Sequence, residues 1–104
     1  MAQVKWLAQQ VGFPDPSLAV AVAWAESGGN PSALGDNGDS VGLWQINMPS
    51  HPEYTRDVLL NPIGNVKAAF AISQQGRDWS PWTTFRTGAW QAFYQQAQAS
   101  AVPA

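Results

Sequence analysis

Residues 15–29 read DPSLAVAVAWAESGG, and this stretch decides the fold. Asp15-Pro16 is the N-cap and first-turn pair that opens helices, and Gly28-Gly29 is a typical helix stop. The eight residues between Leu18 and Ala25 are all apolar, and a helix that is apolar on every side is a buried helix. The pattern therefore predicts a central helix that carries Glu26 out of the core at its last turn.

Similar signals divide the rest of the chain. They predict helices at residues 3–12 and 16–27, one helical turn near 55–60 and a helix from Asn61-Pro62 to before Gly76. They also predict one turn of helix from Ser80-Pro81 through Phe85 and a last helix over about 89–98. Residues 28–40 have loop composition, and Val41–Asn47 is predicted to be a short strand. We expect one mostly helical α+β domain over residues 1–104, with its core at about 3–98 and a frayed end.

Composition excludes several classes of function. The 104 residues are 45% hydrophobic and 12% charged, which suits one compact domain. Cysteine is absent, so disulfides, thiolate zinc sites and cysteine nucleophiles are excluded. Five Lys and Arg against seven Asp and Glu give a net charge of −2 with no basic stripe, so nucleic acid is not an expected partner. The longest apolar run is too short for membrane insertion, and no signal peptide is visible.

Glu26 has the setting of a general acid. It follows an apolar run, and no Lys or Arg lies nearer in sequence than Lys5 and Arg56. Burial without a cationic partner raises the pKa of a carboxyl, and a general acid must keep its proton near neutral pH. The alternative is a helix-end glutamate that points into solvent, which the preceding apolar run disfavours.

Asp36 and Asp39 lie in a glycine-rich loop about ten residues after Glu26. An inverting glycosidase needs a second carboxylate across the sugar, about 6.5–9.5 Å from the acid, to activate water. Turn formation alone is the simpler explanation, since Asp and Asn beside Gly make turns through their own backbone.

Other side chains suggest a sugar cleft without metal. Trp44 lies beside Gln45 and Asn47, and we expect its ring at a cleft where the amides could bind sugar hydroxyl or acetamido groups. His51 is the only histidine and has no ligand cluster around it, so neither a metal nor a serine triad is expected. No cofactor is expected.

The runs 25–33, AESGGNPSA, and 38–47, GDSVGLWQIN, resemble the signature of soluble lytic transglycosylase domains and goose-type lysozymes. The similarity extends over about residues 13–94, and the segment 79–88 is similar to phage-borne members. The resemblance implies a lysozyme-like fold and action on peptidoglycan glycan strands. It also suggests a module of a phage virion, an endolysin or a larger secreted assembly that acts on the bacterial cell wall.

Family roles carry over by position. The resemblance makes Glu26 the catalytic acid and Asp36, nine residues before Gln45, the residue that positions attacking water. It implies substrate-binding positions in the cleft at Ser27, Ser40, Trp44, Gln45, Asn47 and Phe85. Phe85 stands where transglycosylases usually carry a tyrosine, and Asn47 stands where the lysozymes often carry another acid.

We therefore predict a muramidase that cleaves the β-1,4 bond between N-acetylmuramic acid and N-acetylglucosamine, with Glu26 as general acid. One alternative is lytic transglycosylation, in which the muramyl 6-hydroxyl attacks and 1,6-anhydro ends form. A second is a non-catalytic cell-wall-binding or structural module of a phage tail, and a third is a small helical interaction module.

Overall fold

A computed structural model describes residues 1–102 of the chain. Its elements in chain order are α1 (Ala2–Val11), α2 (Pro16–Ser27), β1 (Leu34–Gly35), β2 (Ser40–Val41), β3 (Ile46–Asn47), α3 (Arg56–Leu60), α4 (Pro62–Ile72), α5 (Thr83–Arg86) and α6 (Gln91–Ala99). A 3₁₀ turn at Asp36–Gly38 separates β1 from β2. The expected fraying falls partly on Pro103 and Ala104, which lie outside the described residues.

Side-chain caps set the starts of three helices. The Asp15 carboxylate accepts a hydrogen bond from the Leu18 amide at 3.1 Å, and Pro16 occupies the first helical position. Thr55 caps α3 and Asn61 caps α4 in the same way. Each cap satisfies an amide that the first helical turn leaves without a partner, so the short polar signals in the sequence locate these helix starts.

The central helix α2 is buried through its middle. All side chains from Ala19 to Ala23 are fully inaccessible to solvent, and the helix packs against α1 and α6. Lys5 links α1 to the end of α6, because its ammonium group donates to the carbonyls of Ala97 at 2.8 Å and Ser100 at 2.9 Å. A cation at the carbonyl end of α6 is also favoured by the helix dipole.

The sheet is smaller and more divided than the sequence predicts. Its three antiparallel strands have the order β1-β2-β3, with Gly35 opposite Ser40 and Ser40 opposite Asn47. A single strand over Val41–Asn47 is therefore wrong. Gly42 with φ 81° and Gln45 with φ 47° turn the backbone between β2 and β3, and β1 lies in the segment predicted as loop.

Asn65 on α4 joins this sheet to the helices. Its fully buried amide donates to the Val41 carbonyl at 2.8 Å and the Leu59 carbonyl at 2.9 Å, and accepts from the Trp44 amide at 2.9 Å. Ile63, in the first turn of α4, is 53% exposed. None of the helices within residues 1–102 has the length and apolar character required to cross a bilayer.

Candidate active site

A cleft of about 400 Å³ opens between the helices and the small sheet. The ends of α2 and α4, the start of α5 and the two residues before α5 form its helical wall. The sheet with the loop after β3 forms its sheet wall. The lining residues are Glu26, Asp36, Ser40, Gln45, Ile46, Asn47, Ser50, His51, Ile72, Pro81, Trp82, Thr83 and Thr84. The structure thus brings together five of the eight predicted site residues.

Glu26 lies half-buried on the helical wall, in the last turn of α2. The Thr84 hydroxyl donates a hydrogen bond to its Oε2 at 2.8 Å. Burial raises the pKa of Glu26 above its usual range, hydrogen bonds from Thr84 partly offset this, and the negative charge of Asp36 raises it further. The pKa shift therefore has the direction that a proton donor requires.

Asp36 lies across the cleft at the start of the 3₁₀ turn, with a backbone φ of 50°. The Ser40 hydroxyl donates to its Oδ2 at 2.5 Å, and the Asn47 amide donates to the Ser40 oxygen at 3.3 Å. Ser40 is buried, whereas Asp36 is exposed. Two neighbouring strands thus orient a carboxylate that remains in contact with solvent.

Gln45 contributes to the cleft mainly by holding its wall. Both protons of its side-chain amide are used, because Nε2 donates to the Ala33 and Gly42 carbonyls at 3.0 Å each. Gly35 allows this arrangement, since a Cβ there would lie 2.4 Å from Gln45 Oε1. Gln45 therefore has only its carbonyl oxygen left for a ligand.

Trp44 is not a cleft residue, contrary to the prediction. Its side chain is fully buried, and its indole N–H donates to the Ala19 carbonyl at 3.0 Å. Its ring also stacks on Phe13, with centroids 6.3 Å apart. The ring therefore fills the core that α2 forms, where it has no access to a ligand.

Phe85 and Ser27 also fall outside the cleft lining, which corrects their predicted roles. The half-buried Phe85 ring stacks on Trp90, with centroids 5.7 Å apart. The Ser27 hydroxyl donates to the Ala23 carbonyl at 3.0 Å and accepts from the Gly29 amide at 3.2 Å. The Ser27 hydroxyl is thus used in hydrogen bonds at the end of α2.

Sequence reasoning missed the residues that α5 and the segment just before it add to the cleft. Thr84 contacts Glu26, and Trp82 lines the cleft while its indole N–H donates to the Trp44 carbonyl at 2.8 Å. The signal was the segment around Phe85, in which the neighbouring threonine, and not the aromatic residue, contacts the acid.

Besides Glu26 and Asp36, the ionisable residue His51 also lines the cleft, whereas Asp39 does not. Across residues 1–102, no three His, Cys, Asp or Glu side chains are grouped so that they could hold a metal ion. The polar side chains that line the cleft carry carboxylates, hydroxyls, amides and one imidazole.

Comparison with known proteins agrees with this geometry. Residues 5–84 match the family described as lysozyme-like domain, whereas neither the curated proteins nor the solved structures gave a match. The match confirms the resemblance to soluble lytic transglycosylase and lysozyme-like domains, and the mostly helical α+β fold agrees with it. Such a domain implies peptidoglycan, the polymer of the bacterial cell wall, as the substrate. The chain belongs to the family of lysozyme-like domains.

Proposed function

We propose that the chain is a muramidase that hydrolyses the β-1,4 bond between N-acetylmuramic acid and N-acetylglucosamine, with Glu26 as general acid. The observation that carries this proposal is the half-buried Glu26 carboxyl in the cleft, with Asp36 on the opposite wall. Most glycosidases use two carboxyl groups, whose different surroundings give them different pKa values, to cleave a glycosidic bond.

Glu26 gives its proton to the glycosidic oxygen while the bond between that oxygen and C1 of the muramic acid breaks. Positive charge then develops on C1 and the ring oxygen. Asp36 takes a proton from a water molecule, whose oxygen forms the new bond to C1 from the opposite face. The N-acetylglucosamine end leaves as an alcohol, after which Asp36 releases its proton to solvent and Glu26 takes one from solvent.

The surroundings of Asp36 support its role as the base. Ser40 and Asn47 orient the carboxylate through Oδ2. Within the described part of the chain, the structure gives Oδ1 of Asp36 no hydrogen-bond partner, so that oxygen is available to water. Exposure to solvent allows the water to be replaced after each turnover.

Lytic transglycosylation is the second candidate, and one contact favours it. Transglycosylases usually carry a tyrosine where this chain has Phe85, but the Thr84 hydroxyl supplies a polar contact to Glu26 Oε2. In this reaction the muramyl 6-hydroxyl attacks C1, its proton passes to a base or to solvent, and 1,6-anhydro ends form. No second carboxylate is then required.

We also propose that a larger phage or secreted assembly presents the domain to the cell wall. The net charge of −2 supports this, because an acidic chain gains no electrostatic adsorption to an anionic envelope. The resemblance of residues 79–88 to phage-borne members points to the same arrangement.

The test of the acid compares the only two glutamates of the chain. Glu26→Gln should lower the rate of release of soluble muropeptides from purified peptidoglycan by about a hundred- to ten-thousandfold, because an amide cannot deliver the proton. Glu53→Gln is the matched control, since Glu53 is exposed and does not line the cleft, and it should retain the parent rate.

A folded Glu26→Gln protein that digests peptidoglycan at the parent rate would contradict the assignment of the acid. A parent protein that binds peptidoglycan but releases no muropeptides would instead favour the non-catalytic cell-wall module.

A further inference from the structure

The contact between Thr84 and Glu26 uses one particular oxygen of the carboxyl. The Thr84 hydroxyl lies 2.8 Å from Oε2, and a hydrogen bond from the Thr84 backbone also lowers the pKa of the carboxyl. An ionised carboxylate can only accept hydrogen bonds, so the hydroxyl must donate to it. The two oxygens of the acid are therefore not equivalent.

Protonation of Glu26 makes the two carboxyl oxygens chemically different, because only one of them carries the proton. If the Thr84 hydroxyl continues to donate to Oε2, the proton of the neutral acid must lie on Oε1. Oε1 is then the oxygen that protonates the glycosidic oxygen. The carboxyl group cannot rotate to exchange its two oxygens without breaking the contact with Thr84. The hydroxyl thus selects one of two orientations of the acid.

Thr84 is itself held by contacts that do not involve Glu26. Trp82, which is 6% exposed, donates its indole N–H to the Trp44 carbonyl at 2.8 Å and fixes the start of α5 in the core. The Arg86 guanidinium bonds the Ser80 carbonyl and the Thr83 hydroxyl on the outer side of the same turn. The hydroxyl therefore comes from a rigid support, as a positioning group requires.

We infer that Thr84 is a positioning residue that holds the Glu26 carboxyl by Oε2 so that Oε1 delivers the proton to the substrate. The inference deepens the proposed function and rests on it.

Because the chain has two glutamates, a protein labelled with ¹³C at the glutamate side-chain carboxyls should give two carboxyl signals in NMR. The Glu26→Gln variant assigns them. Thr84→Val keeps the shape of the side chain but removes the hydroxyl, so the Glu26 signal should titrate at higher pH than in the parent. The sign follows because a hydrogen bond to the charged form lowers the pKa and its loss raises it.

Kinetics provide the second readout. Thr84→Val should lower kcat on peptidoglycan by about tenfold, leave KM near the parent value and move the alkaline limb of the pH profile to higher pH. Thr84→Ser restores a hydroxyl and should recover both kcat and the titration midpoint. Thr55→Val is the matched control, because Thr55 lies outside the cleft lining and its hydroxyl accepts from the Val58 amide, so this variant should keep the kcat and the Glu26 titration of the parent.

An unchanged Glu26 titration in Thr84→Val would overturn the inference, and so would an unchanged kcat in spite of a moved titration. If Thr84→Val does not fold, Thr84→Ala provides the same two readouts. The titration does not depend on activity. An active Glu26→Gln protein would therefore refute the proposed function, while an unmoved titration in Thr84→Val would refute this inference alone.

Discussion

The two walls of the cleft are built in different ways. The helical wall presents Glu26 at the end of α2, directly after a segment whose side chains are fully buried. The sheet wall presents Asp36 on a 3₁₀ turn between strands of two residues each, where the carboxylate is exposed. Packing therefore leaves the Glu26 carboxyl half-buried, whereas the Asp36 carboxylate is oriented by Ser40 and remains exposed to solvent.

This difference supports the different roles that we propose for these two similar groups. Burial raises the pKa of Glu26, which favours a proton donor. A base that activates water must instead reach water, and an exposed turn gives that access. The packing around each carboxyl, and not their spacing in the sequence, produces this difference in exposure.

After the loss expected for Glu26→Gln on the helical wall, the next largest effect concerns the sheet wall. Asp36→Asn should lower the rate of muropeptide release by about ten- to a hundredfold, because an amide cannot accept the proton of water. The control is Asp39→Asn, three residues further on and outside the cleft lining, which should remain close to the parent. The measurement is the initial rate of digestion of purified peptidoglycan.

Equal and mild losses in Asp36→Asn and Asp39→Asn would show that both aspartates only form the turn. The sheet wall would then take no part in the chemistry, and lytic transglycosylation, which needs no second carboxylate, would be favoured.

The helical wall followed closely from the sequence. The signals at Asp15-Pro16 and Gly28-Gly29 gave the bounds of α2, and the apolar run between them explains why the structure places Glu26 half-buried in the cleft. These features depend on neighbours within a few turns of one helix, where local chemistry decides. The catalytic role of Glu26 stays a prediction.

The residues that the sequence-based prediction misplaced or missed are set by contacts between segments that are distant in the chain. The burial of Trp44 follows from packing and a hydrogen bond to Ala19, which is 25 residues away. The contact of Thr84 with Glu26 spans 58 residues. Neither periodicity nor turn signals carry information on such pairs, so the prediction placed Trp44 at the cleft and overlooked Thr84.

On the helical wall, we expect the Glu26→Gln substitution to have a smaller effect, which is a pH-dependent change in thermal stability. Since burial raises the pKa of Glu26 in the folded chain, stability that is present below the unfolded pKa is lost as pH rises through the folded pKa. Glu26→Gln resembles the protonated form and should therefore unfold at a slightly higher temperature than the parent at about pH 8. At about pH 4 the two melting temperatures should be nearly equal.

Thermal unfolding followed by circular dichroism checks this expectation. Glu53→Gln, which alters an exposed carboxylate, should show no such pH-dependent gain. A Glu26→Gln protein that is equally destabilised at both pH values would show that the carboxyl serves the fold and is not strained by its burial.

The most direct test of the whole account is digestion of peptidoglycan in water enriched in ¹⁸O, followed by mass spectrometry of the released muropeptides. Hydrolysis by Glu26 and Asp36 predicts reducing N-acetylmuramic acid ends that carry one heavy oxygen, because the oxygen of the attacking water becomes bonded to C1. Unlabelled 1,6-anhydro ends, lighter by one water than the hydrolytic product, would contradict the account. They would show that the sugar's own hydroxyl attacks C1 and that Asp36 only shapes the loop.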